Sequence, residues 1–336
     1  MSNAPGIDIL GIGNAIVDVL AHVDEAHLAG LGLDKGTMTL IEGHRVRELY
    51  RAMGPGVECS GGSAANTLAG AALLGARTAY IGKVRDDQLG HIFAHDIRAA
   101  GVTFDTPPAA DGAPTACCLV LVTPDAHRTM ATYLGACVEL GPEAVDPALV
   151  ARAQVTYVEG YLWDPPAARE AVRRAVRAAK DAGRRVALTL SDPFLVDRHR
   201  DELRELVRRD VDLLFANEVE VVSLFQAADF DDALQHVHGA VEVAALTRSE
   251  KGSVVVNGGE VHVIDAEPVP HVGDTTGAGD LFAAGFLAAW TRGADLGTCA
   301  RVGGICAAEV ISHLGARPEE DLRALVAARL GEHALA

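Results

Sequence analysis

The chain has 336 residues, 49% hydrophobic and 22% charged, a globular balance with room for a sizeable core. Its formal charge of −17 excludes nucleic acid or an anionic membrane as partner, since both select a positive footprint. An anionic ligand would need positive potential supplied locally, by a helix N-terminus, a metal ion or a placed arginine.

In chain order, residues 7–12 form a short apolar run ending at Gly13 and predict a strand. Residues from about 19 to 41 hold β-type alternation with few helix signals. A helix is predicted over 64–74, closed by Gly75, then a strand over 78–81 and a helix over 88–100 with Gly101 just past its end. Residues 102–134 again hold β-type alternation with few helix signals. Strands follow at 155–158, 186–190, 213–216, 243–247 and 253–256, with helices at 167–182 and 281–290. Alternating βα units predict a parallel sheet covered by helices on both faces. No disordered linker or internal repeat divides the chain, so one domain over 1–336 is expected, with 19–41 and 102–134 as a small sheet set apart from the main one.

The six cysteines lack CxxC spacing and several lie in apolar runs, as in a reducing compartment. No basic stretch followed by an apolar signal core opens the chain and no apolar run could span a bilayer, so a cytoplasmic location is expected. Arg169, Arg173, Arg174, Arg177 and Lys180 oppose apolar residues at helical spacing and read as a solvated face.

Two glycine-rich elements carry the chemistry. Asp274-Thr275-Thr276-Gly277-Ala278-Gly279-Asp280 runs directly into the apolar helix at 281–290. Its glycines allow a sharp turn and close approach, and the helix start suits an anion, most naturally a phosphate. Asp280, in the first turn, is placed to take a proton from an attacking hydroxyl. In Gly61-Gly62-Ser63-Ala64-Ala65-Asn66, paired glycines admit a ligand and Asn66 offers donor and acceptor to a sugar hydroxyl. Asn14 and Asp18 follow the first strand, at the kind of strand end where open α/β sheets bind ligands. Asn217 and Glu220 share a helical face after the strand at 213–216; the spacing serves either a hydrated Mg²⁺ or an ordinary acidic helix N-terminus. Gly11-Ile12-Gly13-Asn14-Ala15-Ile16 only half-matches a dinucleotide fingerprint, and an NAD-dependent oxidoreductase built on it leaves 274–280 unexplained. No GxxxxGK[ST] loop and no HExxH spacing occurs.

Together these motifs resemble the ribokinase (pfkB) family of sugar and nucleoside kinases, over essentially the whole chain. Gly11-Ile12-Gly13-Asn14-Ala15-Ile16-Val17-Asp18, Thr189-Leu190-Ser191-Asp192-Pro193-Phe194 and the 211–218 stretch are most similar to its adenosine kinases. The resemblance implies a ribokinase-like three-layer α/β/α sandwich with a mostly parallel sheet and a small β lid built from 19–41 and 102–134. It implies ATP-dependent phosphorylation of a primary hydroxyl, most similar to adenosine going to AMP in purine salvage. Ribokinase, fructokinase, 2-keto-3-deoxygluconate kinase and inosine or guanosine kinase activities remain the alternatives. Asp280 would be the base, Gly277, Ala278 and Gly279 the anion hole, and Asn14, Asp18, Gly62 and Asn66 the ribose site. Arg128 would close over the phosphates from the lid, with Tyr161 and Trp163 as candidates for the wall of the base pocket or, equally, core aromatics. Asn217, Thr247, Gly252, His313 and Gly315 would border ATP, and Asn217 with Glu220 would serve Mg²⁺. Thr247-Arg248-Ser249-Glu250-Lys251-Gly252 departs from the family's TxGxxG by carrying Ser249 at the middle glycine. Partners would be the small-molecule acceptor and ATP, in a monomer or homodimer. Against a catalytically silent nucleoside-binding regulator stands the intact Asp280.

Overall fold

The apolar runs of the sequence become two sheets in the computed structural model, which describes residues 6–125 and 127–335. In chain order the strands are β1 (Ile7–Ile12), β2 (Ile16–His22), β3 (Met38–Leu40), β4 (Val57–Gly61), β5 (Thr78–Ile81), β6 (Val102–Thr103), β7 (Ala116–Val122), β8 (Arg128–Tyr133), β9 (Ala153–Glu159), β10 (Arg185–Thr189), β11 (Leu213–Asn217), β12 (Val243–Thr247), β13 (Ser253–Asn257) and β14 (Glu260–Ile264). The nine-stranded sheet has the order β14-β13-β12-β11-β10-β9-β1-β5-β6 and is parallel from β12 to β6, with β13 and β14 added antiparallel.

Its strands are buried on both faces, the reason they read as near-continuous apolar runs. Alternation divides them: Ile9, Tyr157, Ala187 and Phe215 face one helical layer, while Leu10, Val158, Leu188 and Leu214 face the other. The first layer contains the helices Ser63–Leu73, Ala278–Trp290 and Leu296–Val310; the second contains Pro166–Asp181 and Pro193–Arg209. This is the three-layer α/β/α arrangement the motifs imply. The helices Pro193–Arg209, Leu296–Val310 and Leu322–Leu330 carry no sequence-level expectation, and neither does β14.

The five-stranded sheet has the order β3-β8-β7-β2-β4. It is mixed, with β2 parallel to β7 and β3 parallel to β8. Its membership differs from the two stretches expected. β4 comes from 57–61, whereas β6, inside the second stretch, pairs with β5 at the edge of the large sheet. The first stretch also contains a helix, Glu25–Gly30, capped by Asp24. Short runs such as Val57–Gly61 lack enough alternation to be assigned to one sheet rather than another.

Register fixes what the small sheet presents. Asp18 stands opposite Cys59 and Cys118, Leu20 opposite Val120, and Val120 opposite Met130. Opposed residues share a face, so Asp18 and Arg128 lie on the same side as Ile16, Leu20, Cys118, Val120 and Met130. Leu314 of the main body packs against that side. Val17, Val19, Cys117 and Leu119 point the other way, into the main core.

Candidate active site

Two helices that begin at glycines meet head to head. The helix Ser63–Leu73 has Gly62 at its N-cap with φ 97°, and Ala278–Trp290 has Gly277 there with φ 80°. Both glycines have positive φ and supply no side-chain cap. Ala64 N–H donates to Glu159 and Ala278 N–H to Thr275 O, and the other N–H groups of the two first turns have no side-chain acceptor among the described residues. A Cβ on Gly70 would come within 2.9 Å of the Ala284 Cβ, so the bare backbone lets the two helices cross closely. That crossing brings Ser63 and Asn66 to Asp280. Ser63 Oγ donates to Asp280 Oδ1 at 2.6 Å, and Asn66 Nδ2 donates to Oδ2 at 3.1 Å.

Burial raises the Asp280 pKa, and the hydrogen bonds from Ser63 and Asn66 with the charge of Arg317 oppose that rise. Such a carboxylate is held ready to accept a proton. Gly279 is exposed, and a Cβ there would meet nothing within 4 Å. The space beside this helix start is therefore not filled by the protein's own packing.

The Asn14–Glu159–Ala64 group forms the floor. Glu159, 1% exposed at the end of β9, accepts from Asn14 Nδ2 at 2.9 Å, Asn14 N at 3.3 Å and Ala64 N at 3.0 Å. Burial pushes its pKa up to about 7 despite those bonds. The Oδ1 atoms of Asn14 and Asn66 are buried without a donor among the described residues, so two acceptors remain for hydroxyl groups. Asp18 lies over Gly61, where a Cβ would collide with its carboxylate. Burial raises Asp18 to about 6, with Arg317 and Arg128 lowering it and Asp280 raising it.

Arg128, on β8, pairs with Asp274 at 2.8 Å, both side chains 8% exposed. Asp274 also accepts from Thr276 N at 3.0 Å, Thr276 Oγ1 at 2.8 Å and Gly315 N at 3.2 Å. The small sheet is thereby tied to the motif loop. Arg128 Nε and Nη2 are buried with no acceptor among the described residues.

The remaining expected site residues fall in three places. Asn217 and Glu220 form a reciprocal capping box: Glu220 N donates to Asn217 Oδ1 at 2.9 Å, and Asn217 N and Nδ2 donate to the two Glu220 oxygens at 2.9 and 2.8 Å. Burial, with Asp192 nearby, raises Glu220 to about 7. Thr247 ends β12 beside Asn217, and Gly252 opens the return into β13. Ser249 holds φ 52°, so the turn keeps a left-handed backbone where the family's glycine would sit. The His313 ring is engaged by Glu309 at 3.1 Å, leaving the adjoining Gly315 to meet Asp274. Tyr161 is 39% exposed, donating to Ser191 O at 3.2 Å. Trp163, in contrast, is 3% exposed and packs in the core with Ala168 and Val172, under the helix Pro166–Asp181. An aromatic after a strand is as readily a core residue as a wall, and here the apolar underside of that helix claims it.

Glu159 and Arg317 were missed by sequence reasoning. Glu159 follows an apolar strand directly, a usable signal for a strand-end carboxylate; Arg317 reaches partners more than 250 positions away and has no local signature. The half-matched dinucleotide fingerprint is resolved by context: Gly11 lies within β1, and Gly13 leads into β2 rather than into a helix.

Comparison with known proteins matches residues 53–322 to the model of the pfkB family carbohydrate kinases. A crystal structure of a probable sugar kinase from Rhizobium etli CFN 42 superposes with a TM-score of 0.89 at 47% identity, covering 98% of this chain and 99% of that one. The adenosine kinase crystal structure from Sinorhizobium meliloti gives 0.87 at 52% identity, covering 96% and 98%. The ATP-dependent ribose-1-phosphate kinase of Halopiger xanaduensis is 32% identical over 271 residues, 77% of this chain and 83% of that protein. No helix of the described residues is long and apolar enough to cross a membrane.

Proposed function

The chain belongs to the pfkB family of carbohydrate kinases and is an ATP-dependent kinase acting on a hydroxyl of a sugar or nucleoside; we propose that its acceptor is the 5′-hydroxyl of adenosine. The observation that carries the nucleoside reading is the cleft face of the small sheet. There Asp18 is flanked by Ile16, Leu20, Cys118, Val120 and Met130, with Leu314 opposite. A free sugar carries hydroxyl groups around its ring and would leave them unpaired against such a surface. A nucleoside presents a ribose to Asn14, Asp18, Gly62 and Asn66 and an apolar base face to the row beyond, with Tyr161 at the margin. The 52% identity to the Sinorhizobium meliloti adenosine kinase supports adenosine among nucleosides.

In this reading Asp280 takes the proton of the 5′-hydroxyl as its oxygen attacks the terminal phosphorus of ATP, the bridging P–O bond to that phosphorus breaks, and ADP leaves. The N–H groups of Gly277, Ala278 and Gly279 receive the phosphoryl oxygens. Arg128 turns its free Nε and Nη2 to the same charge. ATP runs from there past Gly315 and His313, with Thr247, Gly252 and Asn217 along its border. Asn217 and Glu220 fit Mg²⁺ only through its water shell. Both Glu220 oxygens already accept a hydrogen bond, and among the described residues no three metal-ligating side chains converge. When bound, Mg²⁺ would offset the charge of the ATP phosphates.

An ADP-release screen with adenosine, inosine, guanosine, ribose, fructose and 2-keto-3-deoxygluconate tests the acceptor. Adenosine is expected to give the highest kcat/KM. A free sugar exceeding every nucleoside by about tenfold, the worth of one neutral hydrogen bond, overturns the nucleoside reading and leaves the family intact.

A further inference from the structure

Arg317 lies in the turn beyond the helix Leu296–Val310, next to Ala316, which closes on Gly277 so tightly that a Cβ there would stand 2.8 Å from the Ala316 Cβ. Its guanidinium grips the glycine-rich entry segment at both ends. Nε and Nη2 donate to Ser60 O at 3.2 and 2.8 Å, Nη2 also to Ser60 Oγ at 2.8 Å, and Nη1 to Ala65 O at 3.2 Å. Ser60 is in turn held by Asp96, whose Oδ2 accepts from its N–H at 2.7 Å and its hydroxyl at 2.6 Å. Ala65 stands between Ser63 and Asn66, the two residues that hydrogen-bond Asp280.

We propose that Arg317 is a positioning residue for phosphoryl transfer: it fixes residues 60–65 against the motif helix and supplies the positive charge that lets Asp18 and Asp280 share one site. This rests on the kinase reading, in which Asp280 works as a base. The electrostatics agree with the geometry. Burial raises both carboxylates, Asp18 to about 6, and Asp280 adds to the rise at Asp18. Besides Arg317, Asp280 is surrounded by Ser63 and Asn66 from one helix and by Tyr157, Glu159 and Tyr161 from β9 and the turn after it. None of those five is a cation. Asp18 faces Cys59 and Cys118 on adjoining strands, with Arg128 as a second and weaker cationic influence. Arg317 is thus the cation common to both carboxylates.

Two variants and two readouts test this. In Arg317→Gln the acid limb of the kcat/KM profile should move to higher pH by roughly one unit, the influence of a nearby opposite charge. The ¹³C carboxyl titrations of Asp280 and Asp18 should move with it. Arg317→Lys keeps the charge but not the planar fork. Its limb should stay at the wild-type position while kcat/KM falls about tenfold, as expected for lost hydrogen bonds from a charged group. A Gln variant with wild-type titrations overturns the electrostatic role, and a Lys variant with wild-type kcat/KM overturns the positioning role. Should the Gln variant not fold, the Lys limb decides: a shift despite the retained charge rejects the proposal. The carboxyl titrations need no turnover, so a wild type that released no ADP with any acceptor would overturn the kinase reading while these titrations still judged Arg317.

Discussion

Two kinds of helix start carry the expected site residues, and they are built on opposite principles. The helix Glu218–Phe225 closes on itself: Asn217 and Glu220 satisfy each other's backbone groups in a capping box. The helices Ser63–Leu73 and Ala278–Trp290 begin at positive-φ glycines that supply no side-chain cap, and only Ala64 N–H of the first is met by a distant side chain, that of Glu159. Asp192 and Asp295 cap other helices in the usual way, the first accepting from Phe194 and Leu195 N–H and the second from Thr298 N–H. A protein that can cap its helices with aspartate, and does so repeatedly, has placed glycine at the caps of the two starts that meet at Asp280, leaving them only partly closed. In the proposed reading the difference separates a helix start that holds the fold from one that would hold a ligand.

The largest break in that comparison comes from Asp280→Asn. Asn keeps the shape and can still meet Ser63 and Asn66, but it removes the base from the open start. General-base contributions run to about 10²–10⁴-fold, so kcat for ADP release should fall by that order with little change in acceptor binding. A folded variant retaining more than about a tenth of wild-type kcat, well inside that range, would remove Asp280 from the chemistry.

The open starts were legible in the sequence because glycine is the residue a left-handed turn demands, and Gly61-Gly62 and Gly277-Ala278-Gly279 announce themselves. Apolar runs such as Val243–Thr247 likewise gave the large sheet, since strands buried on both faces need no alternation to be recognised. What the linear pattern withheld was contact between distant segments. Ser63 and Asp280 are 217 positions apart, and only the crossing of two helices at Gly70 joins them. The membership of the small sheet was withheld for the same reason, since β4 finds β2 through pairing that its own composition does not encode. For Trp163 the sequence left wall and core equally open, because burial under a helix and exposure in a pocket look alike in one dimension, and the structure buries it.

Gly279→Ala sharpens the comparison further. Gly277 is needed for its backbone conformation and for Ala316, whereas a methyl group at Gly279 would stand in open space. Alanine is also the better helix former, so the melting temperature should hold or rise slightly. If the space belongs to the phosphoryl group, the same methyl should cut kcat/KM for ADP release at least about tenfold, less than the loss of a full oxyanion donor. Unchanged kinetics in this variant would show that the reacting phosphate lies away from the glycine turn.

Asn217→Ala tests the closed start and should have the smallest effect on turnover. Removing a cap costs about 1 kcal/mol. Some further loss is expected because Glu220, already raised to about 7 by burial, loses the bond from the Asn217 side chain. Thermal unfolding should therefore begin earlier, while kcat at saturating Mg²⁺ and ATP stays within about threefold of wild type, less than the 1.4 kcal/mol that a tenfold change in rate represents. If Asn217 and Glu220 also orient a hydrated ion, the Mg²⁺ concentration for half-maximal activity should rise by about tenfold, as for other groups that act through a metal's outer shell. A lowered melting temperature with an unmoved Mg²⁺ midpoint would reduce the pair to a cap. A collapse of kcat as large as that of Asp280→Asn would erase the distinction, placing the self-closed helix start inside the transfer site alongside the two open ones.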